Sequence, residues 1–317
     1  MRMQRAPFCL STVRAALLCL GALLGTACQS GSGHPDLPGL EPLSLLGGDS
    51  SIYVSVPVAA HAELAAHLLQ AELPSLSSKD ADLLVSHLDM LYAGLGTVDN
   101  LGRLELAASG NFPPVAIKSL LTAKNGWSRE TFHAGSSPEA LAAGYPATFD
   151  TFVSEEAGFA VSFPSPGVLC AAPDVRPLLE HAALRSPAPE KPYAGWVGQD
   201  SEDILFYIAR PGQYLRNLIG LTVNGCDAVY GQMAKRAAGQ YELAFAAHIT
   251  AARAVPAFVA ALELSLGMMG CSIRQLDNQT IQISGIPVGE QQLIDLFTRD
   301  PITGKHFRVS GNTIITE

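Results

Sequence analysis

Charged residues are scarce in this chain of 317 residues. They make up 15% of the sequence, against about 25% in ordinary soluble domains. Apolar residues make up 48%, and the mean hydropathy is +0.22. This composition excludes a disordered chain, which requires low hydrophobicity and high charge. The net charge is -9 and no Lys/Arg stripe is present, so the sequence also argues against nucleic-acid binding.

Motifs for catalysis, metal binding and cofactor binding are missing as well. There is no His-Glu-x-x-His and no Gly-x-Ser-x-Gly. His61 and His67 are six positions apart, which places them roughly 240° apart on a helix, too far around to share a metal. Gly94 and Gly96 follow a predicted strand, but the next glycine, Gly102, comes too late for a dinucleotide fingerprint. We therefore expect no enzymatic activity, no metal and no cofactor.

Cysteines are few in the part of the chain that is predicted to fold. Of six cysteines, three lie within the first 28 residues, which leaves Cys170, Cys226 and Cys271. An odd number permits one disulfide at most, and the spacings do not match a metal site. Small buried apolar side chains are the favoured interpretation of all three.

The amino terminus has the pattern of a bacterial export signal. Arg2, Arg5 and Arg14 precede an apolar stretch, Ala15–Leu24, which is too short to span a bilayer and fits a signal peptide over residues 1–27. The stretch ends in Leu-Gly-Thr-Ala followed by Cys28.

This ending resembles the bacterial lipobox, although the usual leucine three residues before the cysteine is replaced here by Gly25. The resemblance implies that the preceding peptide is removed and that Cys28 carries acyl chains such as palmitate. Ordinary secretory cleavage after Ala27, with Cys28 left as a free thiol, is the alternative. Two or more chains on one residue anchor a protein firmly, because each buried methylene contributes about 0.8 kcal/mol.

Composition divides the rest of the chain. Residues 28–50 are rich in Gly, Ser, Pro and Asp and are predicted to form a lipidated tether. Alternating strand and helix patterns predict a first half over 51–185 and a second over 203–317, joined by a Pro-rich linker at 186–202. The predicted class is α/β (α+β), with mixed or antiparallel sheets flanked by amphipathic helices.

The two halves show a weak internal similarity. Residues 91–94 (Leu-Tyr-Ala-Gly) correspond to 229–231 (Val-Tyr-Gly), and residues 104–107 (Leu-Glu-Leu-Ala) to 241–244 (Tyr-Glu-Leu-Ala). The order of predicted elements agrees better than the residues do. We interpret this as a duplication of an α/β half, with chance alignment as the alternative.

Two predicted helices are unusually apolar. The first covers 59–73, and the second covers 254–269 with Glu263 as its only charge. In the second, Val259 and Leu262 share one helical face while Leu264 and Met268 lie on the opposite face, so the helix is either buried on both sides or in contact with lipid on one. The candidate lipid-contacting residues are Leu64, Leu68, Leu69, Leu73, Phe258, Leu262, Leu264 and Met268.

Mild acidity is expected to favour insertion of the first of these helices. Protonation of His61, His67 or His87 would lower the negative charge of the region.

The combination of relaxed lipobox, short tether and amphipathic helices on α/β sheets resembles treponemal (spirochaete) outer-membrane-associated lipoproteins. Only the residues from Leu24 to Cys28 form a sharp motif for this resemblance. It implies a concealed protein on the periplasmic side of the outer membrane, whose helices insert into the inner leaflet and perturb permeability. The expected partners are membrane lipids, with another envelope protein or a hydrophobic small molecule as further candidates.

Two other functions stay open at this point. The same helices would serve a carrier that holds a lipid or another hydrophobic ligand in an apolar pocket. A periplasmic enzyme of unknown chemistry would instead require a cluster of polar groups with perturbed pKa values in a cleft.

Overall fold

A computed structural model describes most of the chain. The described residues are 40–48, 50–72, 77–95, 104–113, 121–134, 147–154, 159–184, 192–209, 211, 225–267, 270–298, 307–310 and 313–316. The predicted signal peptide, Cys28 and most of the tether lie outside them.

Helices and strands alternate along the chain. The helices are α1 (Ala62–Glu72), α2 (Ser78–Val85), α3 (Arg176–Leu184), α4 (Pro192–Val197), α5 (Val255–Leu266) and α6 (Glu290–Thr298), with 3-10 turns at Pro42–Leu45, Ala123–Asn125 and Ala252–Ala254. The strands are β1 (Ile52–Pro57), β2 (Leu88–Leu95), β3 (Leu104–Gly110), β4 (Ser128–Ala134), β5 (Ala147–Ser154), β6 (Phe159–Ser165), β7 (Val168–Ala172), β8 (Ile204–Ala209), β9 (Cys226–Ala237), β10 (Gln240–Ile249), β11 (Ser272–Gln275), β12 (Thr280–Gly289), β13 (Phe307–Ser310) and β14 (Thr313–Thr316).

The chain divides into two compact units, each built from two segments. Of the described residues, the first unit contains those up to Ser50 and those between 69 and 189, and the second contains those between 51 and 68 and those after 189. The second unit thus takes its first strand from the early part of the chain, before the bulk of the first unit.

The first unit is an antiparallel sheet in the order β2-β3-β7-β6-β5-β4. Every residue of β7 is buried, as its uninterrupted apolar sequence Val-Leu-Cys-Ala-Ala requires. Helix α3 buries its apolar face in the same unit, with Leu178 and Leu179 fully enclosed.

One charged side chain lies inside this unit. Glu105 on β3 is 1% exposed, and its Oε2 accepts a hydrogen bond from the backbone N–H of Gly47 at 2.8 Å. This bond holds the 3-10 turn at Pro42–Leu45 against the sheet, where Leu45 and Leu46 are fully buried. The end of the predicted tether is therefore part of the folded unit, because its leucines fill the core.

The second unit is an antiparallel sheet in the order β1-β8-β9-β10-β12-β11. Side chains alternate across its strands. On β8, Ile208 belongs to a core covered by α5, whereas the neighbouring Tyr207 faces the opposite side. Helix α4 lies on that opposite side, in contact with β8 and β1.

The predicted class is confirmed, since both sheets carry helices in a mixed α+β arrangement. The predicted duplication is not confirmed: the six strands of the first unit follow a different spatial order from those of the second. Part of the predicted linker at 186–202, residues 192–197, is helical. These residues form α4, because Tyr193 and Val197 bury their side chains.

Candidate membrane-contact face and aromatic groove

Helix α5 begins where its sequence predicts. A 3-10 turn leads into the helix, and Pro256 stands in its first turn, where a missing N–H costs nothing and the fixed φ suits the helix. The remaining residues are mostly Ala, Leu and Val, so the helix depends on tertiary packing rather than on polar surface pairs.

One face of α5 packs on the sheet of the second unit. Val255, Leu262 and Leu266 are buried in a core with residues of β8, β9, β10 and β12. Phe258 and Val259 are partly buried beside them. This face alone accounts for the stability that the helix gains from burial.

The opposite face of α5 is apolar and exposed. Ala257, Ala260, Ala261 and Leu264 are all exposed, and their spacing of i, i+3, i+4 and i+7 places them on one side of the helix. We call these four residues the α5 outer face. Leu264 is 85% exposed, the highest value among the large apolar side chains described. The helix is therefore not enclosed on both sides, and a stripe of apolar surface about 10 Å long faces outward.

The residues predicted to contact lipid do not share one surface. Leu264 is exposed, whereas Leu64 and Leu262 are buried core residues. Leu68 and Phe258 are half-buried. The side chain of Leu69 and all of Leu73 and Met268 lie outside the described residues.

Helix α1 turns polar side chains outward instead. Glu63 pairs with Lys235 on β9 at 3.3 Å, and His67 pairs with Glu290 on α6. Leu64 and Ala66 are buried on the other side. The described part of α1 is thus an ordinary amphipathic helix of the second unit.

His61 is a buried structural residue. It is fully enclosed, and its Nε2 donates to the carbonyl oxygen of Glu202 at 2.8 Å, while Nδ1 lies 3.4 Å from the hydroxyl of Tyr241. Burial lowers the pKa of His61, and Lys235 lowers it further, against the opposing effects of the Glu202 carbonyl and Asp203. Burial in the folded unit therefore disfavours the protonation of His61 that the sequence analysis expects at mild acidity.

The other face of the same sheet carries a row of tyrosines that sequence reasoning missed. Tyr53 on β1 is opposite Tyr207 on β8, which is opposite Tyr230 on β9. Helix α4 covers part of the row: Tyr193 stacks on Tyr53 with ring centroids 3.6 Å apart. Half of the chain's eight tyrosines therefore meet on one side of one sheet.

Where α4 ends, the row opens into a groove of about 460 Å³. Trp196 meets Tyr230 edge to face, with centroids 5.0 Å apart, and Tyr207 stacks on Tyr230 at 6.4 Å. The Trp196 indole N–H donates to the carbonyl oxygen of Gly231 at 3.0 Å, which fixes the ring. The residues that line this aromatic groove are Gly195, Trp196, Tyr207, Asp227, Ala228, Tyr230 and His248.

The polar part of the aromatic groove is one carboxylate and its partner. Asp227 and His248 form a pair with Nδ1 and Oδ1 2.6 Å apart. Burial raises the pKa of Tyr207, with Asp227 and Tyr230 adding to the effect. The phenol of Tyr207 therefore stays neutral over the physiological range.

The cysteines in the described part are free thiols. Burial raises the pKa of Cys170 far above its usual range and that of Cys226 to about 12. Cys271 is only partly buried. Among the described residues no group of three or more His, Cys, Asp and Glu is arranged to hold a metal ion. In the same residues, no helix combines the length and apolarity needed to cross a bilayer.

Comparison with known proteins points to one class. A family model described as outer membrane-associated lipoprotein TP0453 matches residues 39–140, about a third of the chain. No curated protein sequence matches. The resemblance to outer-membrane-associated lipoproteins is confirmed by this match, which supports a membrane-associated lipoprotein of the cell envelope.

The fold is similar to that of the solved structures of TP0453. The structure of its crystal form III has a TM-score of 0.62 and 15% identity, with 82% of this chain and 98% of that chain covered. Crystal form I gives a TM-score of 0.61 at 15% identity over 82% and 97% of the two chains. The likeness extends across most of the chain although few residues are shared.

Proposed function

We propose that this protein is anchored through acylated Cys28 in the periplasmic leaflet of the outer membrane, that its α5 outer face lies in the lipid, and that this contact raises the permeability of the bilayer. The observation that carries the proposal is the α5 outer face, with Leu264 exposed over most of its surface. The family match and the fold similar to that of TP0453 support an association of this protein with the outer membrane.

The α5 outer face is suited to weak, reversible contact. Transfer of one leucine and three alanine side chains from water to lipid is worth about 4 kcal/mol in all, which corresponds to a dissociation constant of about 1 mM. Such a face would not hold the protein on a membrane by itself. A lipid anchor holds the face close to the surface, where its effective concentration is high enough for a weak contact to matter.

Charge supports apolar contact rather than electrostatic attraction. The chain carries a net charge of -9, so anionic lipid headgroups repel it. Within α5, Glu263 is the only acidic or basic residue. A helix that lies in one leaflet displaces lipid in that leaflet alone, and the resulting packing mismatch provides a physical route to leakage.

The anchor is tested first. Cells that express the full chain should incorporate labelled palmitate into the protein, and the Cys28→Ser variant should incorporate none. Equal labelling of the two proteins would contradict the anchor.

The lipid contact is tested on the acylated protein in vesicles. In a Leu264→Trp variant, brominated phospholipids should quench the new tryptophan, whereas a tryptophan at the partly exposed Leu83 of α2 should be unaffected. Vesicles filled with a self-quenching dye should leak with the native protein and at least tenfold more slowly with Leu264→Glu, while Leu83→Glu leaks like the native protein. Quenching without leakage would leave a bound protein that does not permeabilise, and equal quenching at both positions would refute the role of α5.

A further inference from the structure

The aromatic groove has the features of a small-ligand site. It lies on the face of the sheet opposite α5, and two of its rings, Trp196 and Tyr230, stand at 61° to each other. The ring of Tyr207 is nearly parallel to that of Tyr230. Rings in two orientations around an open volume offer π faces to a ligand from more than one direction.

Several of these groups are held in place before any ligand binds. Trp196 is fixed by its hydrogen bond to Gly231, and Tyr207 and Tyr230 are fixed by their register on neighbouring strands. A site whose walls are already ordered loses little conformational entropy on binding. Packing of α4 against β1, through the stack of Tyr193 on Tyr53, supports the same wall from behind.

The charge of the groove selects the ligand. Asp227 is half exposed and places a carboxylate beside Tyr207 and Tyr230. Of the described residues that line the groove, none is Lys or Arg. Aromatic faces attract cations through the ring quadrupole, so rings and carboxylate favour the same sign of charge.

The polar groups of the groove also limit the kind of cation. A primary ammonium carries three strong N–H donors that need three acceptors, whereas the lining residues include a single carboxylate, whose Oδ1 is already paired with His248. A quaternary ammonium has no N–H donor, and its methyl groups pack on aromatic rings without leaving a polar group unsatisfied.

From this juxtaposition we propose that the aromatic groove binds a quaternary ammonium group, with Trp196, Tyr207 and Tyr230 as its walls and Asp227 as the counter-charge. The group reaches the site either as a small solute or as the headgroup of a choline lipid. The proposal does not depend on the role of α5, which lies on the other face of the sheet.

Calorimetric titration of the acylated full chain in nanodiscs of phosphatidylglycerol tests the proposal. Choline and tetramethylammonium should bind, and 3,3-dimethylbutan-1-ol, which replaces the nitrogen of choline by carbon, should bind at least tenfold more weakly. Equal affinity for choline and this neutral analogue would overturn the proposal, because the groove would then be merely apolar. Binding of glucose without binding of choline would overturn it in favour of a carbohydrate site.

Variants separate the ring and charge contributions. Asp227→Asn and Tyr230→Leu should each weaken choline binding at least fivefold, whereas Tyr230→Phe, which keeps the π face, should bind like the native protein. Asp89→Asn on β2 is the matched control for loss of one carboxylate and should change nothing. Unchanged binding in both Asp227→Asn and Tyr230→Leu would place the ligand elsewhere and refute the assignment.

The source of the group is distinguished by repeating the titration in nanodiscs of phosphatidylcholine. A lower apparent affinity for choline there means that the lipid headgroup competes for the groove. An unchanged affinity means that the ligand is a solute. Both outcomes support the proposed chemistry, and neither bears on leakage by α5.

Discussion

Buried His61 should make the stability of the second unit depend on pH. Its imidazole is enclosed between the Glu202 carbonyl and the Tyr241 hydroxyl, and burial lowers its pKa from the ordinary value of 6.5. Lys235 and Asp203 are the charged groups that act on it, with opposite signs. The folded unit therefore resists protonation of His61 more than the unfolded chain does.

The direction of the effect follows from this difference. Above about pH 6.5 the imidazole is neutral in both states and has no influence on stability. As the pH falls below that value, His61 binds a proton in the unfolded chain but stays largely neutral in the folded unit. The free energy of unfolding then drops by up to about 1.4 kcal/mol per pH unit, until the pH reaches the lowered pKa of the folded state.

His61→Gln removes the titration and keeps both hydrogen bonds possible. The glutamine amide can donate to the Glu202 carbonyl and accept from Tyr241, so the variant should resemble the native protein near neutral pH. Urea unfolding at pH 7.5, 6.5 and 5.5, followed by the fluorescence of Trp196 in a Trp127→Phe background, measures the second unit. Between the two lower pH values the native protein should lose more unfolding free energy than the variant, by at most about 1 kcal/mol.

The control is His133→Gln, an exposed position on β4 of the first unit. This variant should follow the pH profile of the native protein. If the profiles of His61→Gln and the native protein run parallel, the folded unit accepts the proton at no cost, and the reasoning from burial is refuted.

Three further predictions concern packing and reactivity. Gly231→Ala should cost about 1–3 kcal/mol of unfolding free energy, because a Cβ there would lie 2.3 Å from a carbonyl oxygen of β10. The control is Gly195→Ala on α4, where a Cβ meets no atom within 4 Å and should not destabilise the protein. Equal melting temperatures of the two variants would contradict this. Glu105→Ala should cost about 2–4 kcal/mol and expose the 3-10 turn before β1 to limited proteolysis; unchanged cleavage would show that the turn does not depend on this carboxylate. In the native protein at pH 8, iodoacetamide should modify Cys271 well before Cys170, as peptide mass spectrometry would show; similar rates at the two thiols would refute the burial of Cys170.

Local sequence was sufficient to predict elements whose conformation depends mainly on their own residues. The apolar run from Ile204 to Ala209 predicts a strand, and β8 covers the same residues. The sequence predicts a hairpin of Ser272–Gln275 and Thr280–Ile286, and the structure has it as β11 and β12, with β12 continuing to Gly289. Asp277 caps the turn by accepting from the backbone N–H groups of Gln279 and Thr280. For α5, the helical wheel separated the buried Leu262 from the exposed Leu264.

Other elements depend on partners that are distant in sequence. Strand β4 was not predicted, because Ser128, Arg129 and Glu130 open it with an exposed polar run. Its pairing with β5 and the ion pair between Arg129 and Asp150 decide its conformation. A polar edge strand of this kind has no apolar periodicity to reveal it.

The aromatic groove could not be predicted for the same reason. Tyr53, Tyr207 and Tyr230 are far apart in the sequence, and only the register of β1, β8 and β9 brings them into one row. The only local indication of the groove is the alternation of side chains within β8, where Tyr207 lies between Phe206 and Ile208, which both face the core. Which strands lie next to β8 is decided by the fold of the whole second unit and cannot be read from β8 alone.

The discontinuous second unit has a consequence for how the protein is made. Strand β1 pairs with β8, from Ile52 against Ile208 to Ser55 against Leu205, so about 150 residues must follow β1 before its partner exists, and closing so long a loop is entropically costly. During synthesis β1 is made before the bulk of the first unit, and its edge toward β8 stays unpaired until β8 has been made. No single proteolytic cut can release the two units as intact fragments, and a chaperone that shields the unpaired edge of β1 should raise the yield of folded protein.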